Sequence, residues 1–203
     1  MTRFFPFAAL LLLAASSNHV ASAQATSATA APTWRVDATH SFIGFKVRHL
    51  GLSSVTGAFR DYDATITLDP ADPASFRAEA VIQAASVDTE NERRDNHLRS
   101  DDFFDAENHP ELRFVTKEVR DRGDGQLEIV GDLTIRGTTQ EIVLDGEIIG
   151  TAAMGNSERV GIEAEGRINR FDYGLKFDSV MEAGGFVVGE DVRLVLEIEA
   201  IKN

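Results

Sequence analysis

His40-Ser-Phe-Ile-Gly-Phe-Lys-Val-Arg-His-Leu50 alternates along its whole length. Ser41, Ile43, Phe45, Val47 and His49 fall on one face, and His40, Gly44, Lys46 and Arg48 on the other; Phe42 alone breaks the polar side. A period of two sustained this far belongs to a β-strand with one buried face, because a helix would return its apolar residues every three or four positions. Gly51 marks the turn that follows.

The same pattern spreads outward from this stretch. Trp34 to Asp37 reads as a short strand before it. Val55, Gly57 and Phe59 continue after it, and beyond Asp61 the apolar parity flips to Ala64, Ile66 and Leu68. That flip predicts a β-bulge within one long strand. Asp69-Pro-Ala-Asp-Pro73 is a turn by its chemistry, and Ala78, Ala80, Ile82, Ala84 and Ser86 form a smooth face of small residues. After Pro110 the strands resume around Leu112–Thr116, Leu127–Ile135, Ile142–Ile148 and Val160–Ile168, and the last runs from Val192 to Ala200. Gly123-Asp-Gly125, Gly137-Thr138 and Gly155-Asn156 separate them as hairpin turns. Asn169 to Phe177 breaks the alternation and carries three aromatics.

One segment, Asp88 to Pro110, departs from the β pattern. It is dense in charge, and its apolar residues Leu98, Phe103 and Phe104 come late. Ser100 before Asp101 and Asp102 predicts an N-cap with acids in the first turn. The segment is therefore expected to make two short helical turns, the second pressing the Phe pair onto a sheet. Glu92 with Asn96 and Asp95 with Arg99, four residues apart, suggest a solvated or end-capping helix face. About eight long strands with one helical insertion predict an all-β fold, an antiparallel barrel or sandwich. The barrel is favoured by strand length and by glycines on the inward faces (Gly57, Gly131, Gly146, Gly166), which suit bending or close approach of a ligand.

The chain begins like an exported protein. Arg3 precedes an apolar run from Phe4 to Ala15, and Ala21-Ser-Ala23 has the form of a cleavage site. Residues 1–23 are thus expected to be a signal peptide cut after Ala23, and 24–33 a small-residue, flexible linker. The barrel domain is expected over 34–203, in the periplasm. With no cysteine in 203 residues, disulfides, a thiol nucleophile and a lipidated cysteine are excluded. The formal charge of −13 predicts repulsion from nucleic acid and from anionic membrane surfaces.

Catalysis finds no support in the motifs. His40, His49, His97 and His109 form no H-x-H or H-E-x-x-H pair, so no metal site is expected. No G-x-S-x-G elbow occurs. Gly184 to Gly189 neither opens a helix nor follows a βα unit, so it is no phosphate loop.

The residues do resemble a family. Trp34-x-Val-Asp37 with His40-Ser41 and the alternating Ile43-x-Phe-x-Val-x-His49, then Gly57-x-Phe59, look like the opening of the YceI-like family. So do Ser86-Val-Asp-Thr89, Arg94-Asp-x-His-Leu98, Asp102-Phe-Phe104 and His109-Pro110, followed by Gly131-Asp-Leu-Thr-Ile135, Asn169-Arg-x-Asp-Tyr-Gly174 and Gly189-x-x-Val192. The resemblance implies an extended lipocalin-like antiparallel barrel with a helical crossing near 90–109. It also implies a tunnel for a polyisoprenoid or similar apolar chain, with no cofactor and no enzymatic activity, and members are often dimeric. On this reading Ile43, Phe45, Val47, Phe59, Phe114, Leu133, Ile135 and Ile168 point into the bore. Phe103, Phe104, Phe171, Tyr173 and Phe177 cover its mouth or end, and His49, Arg170 or Tyr173 meets a polar head group. The competing expectation is an interaction protein with a filled barrel whose acidic surface engages a membrane redox partner.

Overall fold

The structure, a computed structural model, describes Met1, residues 30–180, Gly184 and residues 186–203. The expected signal peptide, its cleavage site and residues 24–29 of the expected linker lie outside the described residues. Contacts separate a unit Met1–Ala30 from a unit Ala31–Asn203, and the second holds every described element.

Eleven strands form one sheet: β1 Thr33–Val36, β2 Phe42–His49, β3 Ser53–Phe59, β4 Tyr62–Asp69, β5 Asp72–Gln83, β6 Val87–Asp88, β7 Glu111–Gly123, β8 Gln126–Ile135, β9 Thr138–Met154, β10 Ser157–Asn169 and β11 Val188–Lys202. One helix, α1 Glu92–Arg99, fills the crossing between β6 and β7. Antiparallel pairing runs β1-β4-β5-β7-β8-β9-β10-β11 and returns from β11 to β1, closing a barrel of 8 strands. Two of its staves are interrupted. β2 pairs β11 from Val188 to Glu197, and β1 takes over at Ala200–Lys202, so β1 and β2 lie end to end along one neighbour.

The break between β3 and β4 corrects the expected bulge. Arg60 and Asp61 leave the sheet, β3 pairs β2 and β6, and β4 pairs β1 and β5. The parity flip thus comes from a corner between two strands with different neighbours. Register shifts do occur, between Thr116 and Glu118 and at Gly161/Ile162, within strands long enough to need bending. Thr33, expected in the linker, already pairs with Thr67, and the Pro32 carbonyl accepts from Leu68 N at 2.9 Å.

The crossing also departs from expectation. Asn91 is the N-cap: its side chain accepts from Arg94 N at 3.0 Å. Ser100 ends the helix, with Oγ donating to the His97 carbonyl at 2.7 Å, and no second helix follows. Instead a run of turns carries Phe103 and Phe104 inward, tied down by Arg136 Nη1, which donates to the Phe103 carbonyl at 2.9 Å. Nor is the charged face of α1 simply solvated. Asp95 is 5% exposed and accepts from Thr89 N at 2.9 Å and Thr89 Oγ1 at 2.5 Å. Arg94 Nε donates to Thr89 Oγ1 at 2.7 Å, and Arg99 Nε and Nη2 donate to the carbonyls of Ala85 and Val87. These side chains serve as clamps on the main chain around β6.

The interior has a solid part. Trp34, Leu68, Leu127, Val160 and Ala200 are fully buried, and Trp34 Nε1 donates to the Leu68 carbonyl at 2.8 Å, which locks β1 onto β4. Above the seam where β1 meets β11, Arg159 donates to Asp37 Oδ2 at 3.0 Å and also pairs with Glu199, while His40 Nδ1 lies 3.1 Å from Asp37. Asp37 is held well below the usual carboxylate range, first by the His40 hydrogen bond and then by Arg159 and Thr39 N. Its folded value lies below its unfolded one, so the charged form favours the fold. That contribution is complete above about pH 4 and fades as pH falls below it. The melting temperature should decline below about pH 4, and Asp37→Asn should flatten part of that decline; parallel profiles would remove Asp37 from the account.

Candidate functional site

Inside the barrel lies a cavity of about 800 Å³. Its wall is built from the inward positions of successive strands: Ile43, Phe45, Val47 and His49 of β2, Phe59 of β3, Phe114 of β7, Leu133 and Ile135 of β8, and Ile168 of β10. Phe103 and Phe104 from the crossing, and Arg170 and Phe177 from the stretch after β10, also reach it. The apolar strand residues were expected to face the bore, Phe103, Phe104 and Phe177 to cover its mouth or end, and His49 or Arg170 to meet a head group. Alternation explains the strand residues, since one buried face must point to the axis of a closed sheet.

The cavity stays open because many inward positions are small. Ala64, Ala78, Ala80 and Ala164 line it where leucines would fill it. Two glycines extend the effect. A Cβ on Gly57 would come within 2.4 Å of the Phe45 ring, and one on Gly131 within 2.5 Å of the Phe114 ring. Each ring therefore lies against a neighbouring strand's bare backbone, along the wall.

Phe171 and Tyr173, expected over the mouth or end, are not on the wall. They belong to a 3-10 turn, Arg170–Tyr173, in which alternation no longer decides direction. Phe171 packs on Phe186 with ring centres 5.4 Å apart. Tyr173 is 1% exposed, its hydroxyl has no partner among the described residues, and burial pushes the phenol up to about 12. Arg170 reaches the wall but is spent on the fold. Its guanidinium donates to the carbonyls of Gly189 at 3.0 Å, Leu175 at 2.8 Å and Val188 at 3.2 Å, and lies 4.1 Å over the Phe171 ring. Burial lowers its affinity for the proton, opposed by Glu190 and Asp178.

The polar part of the wall was mostly missed. Arg48, Ser53, Asn91, Arg93, Arg94 and His97 join His49 and Arg170 there. Among the described residues, every ionisable side chain on the wall is thus basic or His, in a chain with 33 acids against 20 Lys and Arg. His97 Nε2 lies 2.8 Å from Asp102 Oδ2, and its ring stands edge-on to Phe103 and Phe177 at 5.1 and 5.0 Å. Arg93-Arg94 is the one basic doublet in the chain, which was the available signal.

Asp37, His40 and Glu199 bring possible metal ligands close together. The Arg159 guanidinium already supplies positive charge to Asp37 and Glu199, so the cluster is accounted for as an ion-pair network.

The family model of the YceI-like domain matches residues 34–200. A UPF0312 protein of Staphylococcus epidermidis is 41% identical over 165 residues, covering 80% of this chain and 94% of that protein. The crystal structure of a Campylobacter jejuni YceI protein superposes with a TM-score of 0.66 at 36% identity, covering 77% of this chain and 90% of that one. A polyisoprenoid binding domain from Saccharophagus degradans shares the fold, with a TM-score of 0.61 at 18% identity over 84% of this chain and 98% of that one.

Proposed function

The chain belongs to the YceI-like family, and from that premise we propose that it is a non-catalytic carrier that holds a polyisoprenoid or another long apolar chain inside the barrel. The observation that carries this reading is the cavity of about 800 Å³, walled mainly by alkyl and aromatic side chains. Its size falls in the range of small-molecule sites, and each Å² of apolar surface buried contributes about 25 cal/mol. The polyisoprenoid binding domain from Saccharophagus degradans, which shares the fold, agrees with this ligand class. A filled barrel, which the interaction-protein alternative needs, sits poorly with so large a cavity.

The wall also suits holding better than reacting. Among the described residues Ser53 is its one hydroxyl side chain; it stands across from His49 in the β2–β3 pairing, with no hydrogen bond between the two. The carrier would work in the periplasm after cleavage behind Ala23, as the leader-like start suggests. Homodimerisation belongs to the same proposal, and sedimentation of the purified protein tests it; a membrane redox partner belongs to the interaction-protein alternative.

The deciding experiment is mass spectrometry of organic extracts from protein purified out of its own host. An isoprenoid or other long-chain lipid should appear at up to one per chain, on a polypeptide beginning at Gln24. Repeated extraction of folded protein without any apolar ligand would count against the carrier reading.

A further inference from the structure

We propose that the mouth of the cavity is also a docking surface for a bilayer bearing anionic headgroups. Leu50 and Leu52 insert, Arg48 and Arg93 meet phosphates, and cargo moves between membrane and bore without crossing water. The cargo part of this rests on the carrier reading; the docking itself does not.

The turn from β2 to β3 carries the argument. Leu52 N donates to the His49 carbonyl at 3.0 Å, and the central pair Leu50-Gly51 has φ of 53° and 69°. Such a turn is normally built from Asn-Gly, because a side chain at positive φ meets its own carbonyl. Leucine at the first position is disfavoured by backbone sterics. It is also disfavoured by solvent, since Leu50 is 38% and Leu52 83% exposed. A single exposed leucine needs no explanation. Two in one strained turn, flanked by the cavity-lining His49 and Ser53, place exposed apolar surface directly beside the cavity wall. Val180, 70% exposed, stands beside it: Val180 bridges to Phe186, and Leu50 N donates to the Val187 carbonyl at 2.8 Å.

Charge selects the occupant. Arg48 and Arg93 are exposed and have no acidic partner among the described residues. Arg93 sits in the first turn of α1, where the helix dipole disfavours a cation, so local helix stability does not account for it. Glu90 and Glu92 lie close by, which keeps the attraction modest and leaves apolar insertion as the main contribution. The acidic body, at −13 overall, is repelled by the same surface, and this turns the basic mouth toward it.

The test is co-sedimentation of the purified protein with vesicles of phosphatidylglycerol and phosphatidylethanolamine, and with vesicles of phosphatidylcholine alone. Binding should favour the anionic vesicles and weaken at about 1 M salt, where screening acts beyond about 3 Å. Leu50→Asn and Leu52→Ser should each lower partitioning about tenfold, the loss of one inserted leucine. Asn accepts positive φ, so Leu50→Asn should keep or raise the denaturant midpoint. Uptake of a polyprenol from detergent micelles should be the same in all three proteins. Vesicle binding that is absent, or unchanged in both variants, overturns the docking. So does a change in the sedimentation of the free variants, which would give the turn to a second copy of this chain. Failure of the polyprenol to enter any of the three defeats the carrier reading and leaves the vesicle result to decide docking alone.

Discussion

Asp95→Ala is expected to cost about 3 kcal/mol of stability, which for a domain of this size is a fall of about 6–12 °C in melting temperature. The carboxylate is 5% exposed and receives both the amide and the hydroxyl of Thr89. Thr89 Oγ1 in turn accepts from Arg94 Nε, so the hydroxyl joins an anion to a cation in one chain of hydrogen bonds. Removing the carboxylate leaves a buried N–H unmet and Arg94 without its relayed counter-charge, the situation in which deletion costs most. Asp95→Asn retains one acceptor for Thr89 and should lose roughly half as much. Because Arg94 and His97 of the same helix line the cavity, lipid retention should fall along with stability. A midpoint within about 0.5 kcal/mol of wild type for Asp95→Ala would mean that the crossing is held chiefly by its apolar contacts.

That network shows where the sequence stops being legible. Strands were readable because each has one buried face, so a period of two fixes which residues point inward, as for Ile43, Phe45 and Val47. Nothing comparable marks Asp95. Its four-residue spacing from Arg99 looks like a solvent-facing ion pair, and its burial depends on Thr89, six positions back across a turn. Asn91 and Ser100 are both competent caps. The helix lies between them because the partners of its polar side chains lie on its N-terminal side, which residue preference alone cannot reveal. Phe171 and Tyr173 stand off the wall for a related reason: their aromatic content is visible in the sequence, but the 3-10 turn that redirects them is not. The difference between a tunnel and a solid core was partly visible. It lies in the size of the inward residues, and Ala78 and Ala80 announced a smooth face whose consequence, an open bore, needs the facing strands as well.

Val47→Trp should therefore block lipid binding almost completely while sparing the fold. Val47 lies on the cavity wall, between Val55 of β3 and Val192 of β11, both of which also line it. In a packed interior the added indole would be an overpacking substitution, costing about 1–3 kcal/mol and lowering the denaturant midpoint. Beside a cavity of about 800 Å³ the ring has space, and it buries apolar surface of its own against the bore. The midpoint of the ligand-free variant should then match or exceed that of ligand-free wild type. Bound lipid per chain should drop by about tenfold or more, since each 1.4 kcal/mol of apolar contact denied to the chain is a factor of ten in affinity. Both quantities must be read on one preparation, because retained lipid would itself raise the wild-type midpoint. A strong loss of ligand-free stability would indicate that the interior closes up in solution. Unchanged stability with unchanged lipid would show that Val47 does not face the path of the chain. Only the combination of a preserved fold and an emptied barrel fits a tunnel.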